Sequence, residues 1–440
     1  FDTTILGSNP SAPAKKMKII FSNINIFLKI KNIIFPFYRS KEILKIFNIL
    51  QEGSPKKKIT MFVGGCVRKY IRNEKVDDID IATIFSPAEI KSKFEETEVR
   101  VIDTGIEHGS LTLLINDKKF EITTLRKDIQ TDGRHAEIAF TDDWETDSTR
   151  RDFTINSIYM DSKGNFFDPQ SGINDLKNNQ VKFIGDPEKR ISEDYLRIIR
   201  FVRFSLQYSK NEISLPAIEA IKTNLNGIKK LSKERILNEL YKIFKLTNFD
   251  NILNIKDLKE IFLLIFPEFI NIERLSRISI LRNKKIIRFN KKLILTILLV
   301  DDSNNYEYFC HKYKVSNEIK KNLKFFFDTL KYMNLDKNFF KTNLTKNLYL
   351  IGKDKMIELA CFFFSINKKI NINELQKILS HIMETKVPKF PYSGEYLIKN
   401  GLSEGKKIGE ALNKLEEEWL RNNFSIPEKK LKNIIEKIKN

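Results

Sequence analysis

The sequence predicts an α+β protein: a small domain on a mixed β-sheet, followed by a long stretch that is helical throughout. Three observations carry this. Short apolar and β-branched runs crowd the region between Thr60 and Phe167. From Ser192 onward the apolar residues recur with the 3.6-residue period of one helix face. Within the first region, Met61-Phe-Val-Gly-Gly-Cys-Val-Arg68 joins a short strand to a glycine pair, and Asp78-Ile-Asp80 follows.

Taken in order, residues 41–51 place Ile43, Leu44, Ile46, Phe47 and Leu50 on one helix face, stopped by Glu52-Gly53-Ser54-Pro55. Strands are expected over 60–63, 78–83, 99–103, 110–115, 119–124 and 165–167. A helix is expected over 67–71, and Ser86-Pro-Ala-Glu89 reads as an N-cap with proline in the first helical turn. Helices are then expected over 192–209, 215–223, 232–246, 258–266 and 272–282. A break at 386–394 precedes a final helical pair. The domains implied are a leader of uncertain order at 1–40, a mixed-sheet head at 41–183, and helical segments at 184–250, 251–385 and 386–440.

The chain has 440 residues, 77 Lys and Arg against 57 Asp and Glu, and a formal charge of +20. So much positive charge favours a polyanionic partner, nucleic acid above all. Heavy use of Lys, Ile, Asn and Phe leaves a second reading open, in which some lysine reflects genomic base composition. Cys66, Cys310 and Cys361 are far apart, and the 4 histidines are scattered, with no spacing for zinc or a disulfide framework. That fits a reducing compartment, and the cytoplasm is expected. Residues 19–37 are apolar but interrupted by Lys29 and Lys31, and 293–300 reads as a buried helix, so no membrane is implied. Residues 1–16 read as a disordered leader or a misplaced start, with Met17 the candidate start.

The chemistry lies in the head and in the first long helix after it. A glycine pair at Gly64 and Gly65 lets the backbone come close to a phosphate, and Arg68 adds a fork of donors matched to phosphate oxygens. Residues two apart on a strand point to one side, so Asp78 and Asp80 present both carboxylates to one spot. Such a pair beside a triphosphate grip is what Mg²⁺-dependent nucleotidyl transfer needs, although Asp-x-Asp alone is common. Glu121 alternates with Phe120 and Ile122 and joins the acidic cluster if its strand neighbours 78–83. In Arg150-Arg-Asp-Phe-Thr-Ile-Asn156, either Arg151 would meet a triphosphate while Asp152 and Asn156 orient sugar or backbone, or the run is a helix start with a charged first turn. Asp194, Arg197, Arg200 and Arg203 form a stripe on the helix expected at 192–209, with Ser192 as its cap. The stripe is either a solvated salt-bridged face or a base reader. Cytosine and adenine both show an amino donor beside a ring-nitrogen acceptor, a pattern matched by Asp194 with Arg197.

The motifs resemble the tRNA nucleotidyltransferase/poly(A) polymerase family, specifically its bacterial-type CCA-adding enzymes. They are Phe62-Val-Gly-Gly-Cys-Val-Arg68, Val76-Asp-Asp-Ile-Asp-Ile-Ala-Thr83, His108-Gly-Ser, Phe120-Glu-Ile-Thr-Thr-Leu-Arg126 and Arg150-Arg-Asp-Phe-Thr-Ile-Asn156. Further on come Asp168-Pro with Gly172 and Asp175-Leu, then Glu193-Asp-x-x-Arg-x-x-Arg-x-x-Arg-Phe204, Ser232-Lys-Glu-Arg-Ile-Leu-Asn-Glu-Leu240 and Gly401-x-x-x-Gly405-x-x-x-Gly409. The resemblance implies a nucleotidyltransferase head with helical neck, body and tail. It implies Mg²⁺ at Asp78 and Asp80; the chemistry of the transfer itself calls for a two-ion site, in which Glu121 supports a metal or the primer hydroxyl unless it is only a surface strand residue. Gly65, Arg68 and Arg151 would hold phosphates or sugar, Asp194 and Arg197 would read the base, and Arg200 and Arg203 would complete the nucleotide site. The partners implied are the tRNA acceptor arm, CTP and ATP, with no obligate protein partner. The activity implied is template-independent CCA addition. The alternatives are a poly(A) polymerase or an A-only or CC-only relative and, further off, a non-enzymatic RNA-binding protein. Residues 130–149 resemble the family's flexible segment, with Gly133 allowing movement and Trp144 as anchor. Lys69 stands where the family usually has an acidic residue that orients Arg68, so either a different partner supports Arg68 or turnover is slower.

Overall fold

The computed structural model describes residues 36–53, 58–131, 136–210, 213–287, 290–335 and 338–439. The leader 1–16, Met17, nearly all of 19–37, Ser54, Pro55 and Gly133 lie outside the described residues. The described residues fall into two compact units, one ending at Pro267 and the other beginning at Glu268.

The first unit opens with α1 (Lys41–Gln51), capped by the Ser40 hydroxyl, which accepts from the Ile43 N–H. Its apolar stripe is buried, and Phe47 packs on Phe62 with ring centroids 4.7 Å apart. The head begins a few residues earlier than expected: Tyr38 is buried and Phe37 lies 5.0 Å from Phe62. The strands are β1 (Thr60–Val63), β2 (Asp80–Thr83), β3 (Arg100–Gly105), β4 (Ser110–Ile115), β5 (Lys118–Thr124), β6 (Arg126–Thr131), β7 (Ala136–Phe140), β8 (Tyr159–Met160) and β9 (Phe166–Phe167). Between them lie α2 (Gly65–Ile71), α3 (Pro87–Phe94) and α4 (Trp144–Thr149). At α3 Ser86 and Glu89 form the expected capping box. Seven strands make one sheet in the order β3-β4-β5-β2-β1-β8-β9. It is mixed: β2 and β5 run parallel while the other pairs are antiparallel. The ribbon β6–β7 stands apart from it. Neither ribbon strand nor β8 was expected: Arg126-Lys-Asp-Ile-Gln-Thr131 is too polar to show a buried period, and β8 is only 2 residues long.

After α5 (Gly172–Lys177), the helix expected at 192–209 is in fact two, α6 (Pro187–Glu193) and α7 (Leu196–Tyr208). Asp194 breaks it, with extended backbone at φ −153° and ψ 103°. Its own carboxylate accepts from the Leu196 N–H at 3.1 Å, a local bond that competes with continued helix. Ser192 therefore does not cap; it lies in the last turn of α6 and donates to the Lys189 carbonyl, while Asp186 caps α6. The unit ends with α8 (Leu215–Asn224), α9 (Lys233–Phe244) and α10 (Lys256–Ile265).

The second unit is helical throughout its described residues: α11 (Leu275–Asn283), α12 (Lys291–Leu299), α13 (Asn305–Tyr313), α14 (Asn317–Leu335), α15 (Leu344–Ile351), α16 (Lys353–Ile366) and α17 (Ile372–Glu384) precede the break. Three helices follow it instead of the expected pair: α18 (Gly394–Lys399), α19 (Lys406–Arg421) and α20 (Glu428–Lys439). They share one core of Leu397, Ala411, Leu415, Leu431, Ile435 and Ile438. As expected, the run 293–300, which is α12 after its first two residues together with its C-cap Val300, is buried. Among the described residues no helix is long and apolar enough to cross a membrane.

Gly172 is fixed by close approach: a Cβ there would sit 2.1 Å from the Thr154 carbonyl oxygen. Gly172→Ala is expected to destabilise by about 2–3 kcal/mol through overpacking against backbone. Gly409→Ala, whose Cβ would meet nothing within 4 Å, is expected to be neutral or slightly stabilising. Urea midpoints of the two variants against the parent check both signs.

Candidate functional site

The site starts where β1 ends. Gly64 has φ +74°, a conformation that L side chains rarely adopt, and it turns the chain from β1 directly into α2. One turn along, Arg68 is 8% exposed. Its guanidinium donates to Asn156 Oδ1 and, at 3.4 Å, to the Tyr208 hydroxyl, and it lies 5.0 Å over the Phe204 ring. Lys69 points elsewhere, 3.5 Å from Asp77. The absent acid is thus replaced by Asn156 and Tyr208, which come from distant parts of the chain.

Asp80 opens β2, and Asp78 sits just before the strand, so the expected strand 78–83 begins two residues late. Both carboxylates line the same cleft as the glycine turn. Cβ atoms built at Gly64 and Gly65 would lie 3.6 and 3.8 Å from Asp80 Oδ2. The parallel pairing of β2 with β5 sets Asp80 opposite Glu121, as the alternation pattern anticipated. Glu121 is not among the residues lining the cleft; it acts on Asp80 from the neighbouring strand. Burial, and next the Glu121 charge, raise the Asp80 carboxyl above the ordinary aspartate value, against the pull of Arg68 and Arg151. Negative charge held at such a position suits a divalent cation. Among the described residues no group of three or more His, Cys, Asp or Glu could hold a metal ion alone. Two carboxylates completed by substrate phosphates is instead the way Mg²⁺ is usually held.

Across the cleft the cations are already paired. Asp152, 8% exposed, accepts from Asn156 Nδ2 at 2.6 Å and from Arg200 at 2.6–2.7 Å. Burial alone would raise its carboxyl, but Arg200 and Asn156 hold it down at about 2. Glu239 of α9, nearly fully buried, takes Arg203 at 2.8 Å and Lys242 at 2.7 Å. Asp194 and Arg197 both line the cleft, but each has another partner: Asp194 pairs with Arg235 at 2.7 Å and Arg197 with Glu193 at 2.6 Å.

The structure therefore brings Gly64, Gly65, Arg68, Asp78, Asp80, Arg151, Asp152, Asn156, Asp194, Arg197, Arg200 and Arg203 around one cleft of about 680 Å³. Residues that the sequence did not single out also line it: Arg126, Asp128, Arg150, Phe204 and Lys242. Arg150 was legible as the neighbour of Arg151. Glu239 and Arg235 lie in the run 232–240, whose motif carries no chemical signature of a role. Eight basic and five acidic side chains line the cleft, leaving it net positive and fitted to a polyphosphate.

A mixed-sheet head, a glycine turn, and aspartates facing a wall of arginines define a nucleotidyltransferase. Residues 60–182 match the family model described as the Poly A polymerase head domain. The chain is 33% identical over 388 residues to human "CCA tRNA nucleotidyltransferase 1, mitochondrial", covering 85% of this chain and 86% of that protein. It is 30% identical to the CCA-adding enzyme of Lactobacillus helveticus, covering 81% and 87%. It belongs to the CCA-adding tRNA nucleotidyltransferase family, in its bacterial type. The fold is similar to the Bacillus stearothermophilus CCA-adding enzyme in complex with CTP, at TM-score 0.66, 20% identity and coverage of 90% and 96%. It is also similar to the Thermotoga maritima enzyme complexed with tRNA, at TM-score 0.58, 19% identity and coverage of 91% and 95%.

A raised Asp80 means that the folded state holds that proton more tightly than the unfolded chain. Stability then falls as pH rises from the unfolded value, about 3.9, through the folded one, and the loss persists at neutral pH. Asp80→Asn should raise the melting temperature at pH 7 in chelator, and raise it less at pH 3. Equal gains at both values, or a loss at pH 7, would contradict this origin of the shift.

Proposed function

We propose that the protein adds C, C and A in turn to the 3′ end of tRNA from CTP and ATP, without a nucleic-acid template. The observation that carries this is the placement of Asp80 against the glycine turn, in one cleft with Asp78, Arg68 and Arg151. In the reaction the terminal 3′-hydroxyl oxygen bonds to the α-phosphorus of the incoming nucleotide. The bond to the β-phosphate breaks, pyrophosphate leaves, and the hydroxyl proton is lost to solvent or a nearby base. Mg²⁺ held by Asp78 and Asp80, as a two-ion site, would acidify that hydroxyl and neutralise the leaving pyrophosphate. Gly64 and Gly65 leave room for the phosphate chain, and Arg68 and Arg151 bind its oxygens. Asp152 and Asn156, locked to Arg200 and Arg68, orient the sugar. Glu121 supports Asp80 through the β2–β5 register.

Base choice falls to Asp194 and Arg197. A carboxylate accepting from an amino group beside a guanidinium donating to a ring nitrogen fits cytosine and adenine, and mismatches uracil and guanine. The ion pair to Arg235 fixes the Asp194 carboxylate for this task. Each good bidentate contact is worth roughly 1–3 kcal/mol. The basic helical segments beyond residue 250 bind the acceptor arm through phosphates. The three cysteines are free and buried, which fits a reducing compartment such as the cytoplasm.

The direct test is incubation with tRNA that ends at the discriminator base, with each nucleotide alone and in pairs. The products expected are CC with CTP alone and CCA with CTP and ATP together. Long A tracts, or A addition alone, would point to the poly(A) polymerase or A-only reading. Asp78→Ala and Asp80→Ala should each lower incorporation by about a hundredfold or more while tRNA still binds. Asp194→Ala should lose selectivity for C and A over U and G, read by competition among the four nucleotides.

A further inference from the structure

Asp147 of α4 has no exposed surface and takes no part in the chemistry above. The spacing of three and four residues puts Arg150 and Arg151 on its side. Oδ1 accepts Arg150 Nε at 2.8 Å and pairs with Arg150 Nη2 at 2.7 Å; Oδ2 accepts Arg151 Nε at 3.2 Å and Nη2 at 2.9 Å. Each guanidinium thus spends the same edge on the one carboxylate. Among the described residues neither Nη1 has a protein partner, and both arginines line the cleft.

The carboxylate is itself held. The Tyr159 hydroxyl donates to Oδ2 at 2.7 Å and receives Arg151 Nε at 3.1 Å. The Tyr159 ring is fully buried, met edge-on by Trp144 at 5.3 Å, and the Trp144 indole donates to the Lys58 carbonyl at 3.0 Å. A simple structural ion pair would need one arginine. Here two share one buried carboxylate, and Arg126, which lines the same cleft and is repelled by both, has a buried Nε with no partner. Three guanidiniums set against Asp147 and Asp128 leave this corner of the cleft net positive and mostly desolvated, which is unfavourable without an anion.

We propose that Asp147, held by Tyr159, is the positioning residue that sets Arg150 and Arg151 side by side as one seat for the incoming nucleotide's phosphate chain. This rests on the nucleotidyl-transfer reading and adds to it Arg150 as a phosphate contact and Asp147 as the group that aims both cations. Two guanidiniums locked before binding lose little side-chain freedom when phosphate docks, so the gain is in nucleotide affinity.

The test uses the full chain. Asp147→Asn keeps shape and removes charge; the KM for CTP and for ATP should rise about tenfold, the scale of one charge-assisted contact, with the KM for tRNA within about twofold. Tyr159→Phe should raise the same nucleotide constants by a smaller factor, and Asp147→Glu should recover part of the loss. A merely structural role would lower kcat and tRNA binding together and leave the nucleotide KM unchanged, which would overturn the proposal. If Asp147→Asn fails to fold, Tyr159→Phe and Arg150→Lys decide, and an unchanged nucleotide KM in both overturns it. Calorimetric titration with CTP separates the two readings. If the parent incorporates nothing while CTP binding weakens in these variants, the catalytic reading fails and the phosphate seat stands.

Discussion

The carboxylate of Asp152 is shared between parts of the chain that are far apart in sequence. One oxygen accepts from the Phe153 N–H and from Asn156, whose own carbonyl takes Arg68 at the glycine turn. The other takes Arg200 on α7, and Arg200 in turn lies 3.8 Å from Glu239, the partner of Arg203. Alternating charges therefore run from the glycine turn of the head to the helix that lines the far side of the cleft. Remove Asp152 and Arg200 loses its partner on the head, while Asn156 loses the acceptor that fixes how it holds Arg68. Breaking such a pair from one side is far more costly than the pair is favourable, since it strands a desolvated charge.

The cleft is also unequal in how its charges are satisfied. Asp152 lies low in pKa because Arg200 and Asn156 outweigh its burial, so its contribution is present above about pH 4 and is lost as pH falls toward about 2. Asp147 is likewise held well below the usual carboxylate range, burial being outweighed by Arg151 and Arg150. Asp80 is the opposite case, raised by burial and by Glu121. Carboxylates that position arginines are already paid in full, whereas the one facing the glycine turn is left with negative charge in excess. That division separates the carboxylates that hold arginines in place from the one that the proposed reaction would use to hold a cation.

Much of this was legible in the sequence, and the reasons differ by residue. The glycine pair and the Ser86 capping box announce themselves locally, because backbone conformation and cap chemistry depend on a few adjacent residues. The 110–115 strand matched its limits because turn residues bound it on both sides. The Glu121 placement followed from alternation once β2 and β5 paired. The break at Asp194 was hidden because apolar residues on both sides keep the helical period, and one side-chain bond to the Leu196 N–H decides the matter. Tyr208 and Glu239 were invisible as supports for Arg68 and Arg203, since only the tertiary fold brings them near. Asp147 was within reach: an acid three and four residues before an arginine pair is a visible signal once that pair is read as a site.

The Asp152–Arg200 pair couples the two sides of the cleft, and a double-mutant cycle measures that coupling directly. Asp152→Asn, Arg200→Gln and the double variant would be compared with the parent by urea unfolding at pH 7. A coupling of about 1.5–3 kcal/mol, as for a hydrogen-bonded charged pair shielded from water, is the predicted result. A coupling below about 0.5 kcal/mol, the scale of an exposed surface pair, would contradict it.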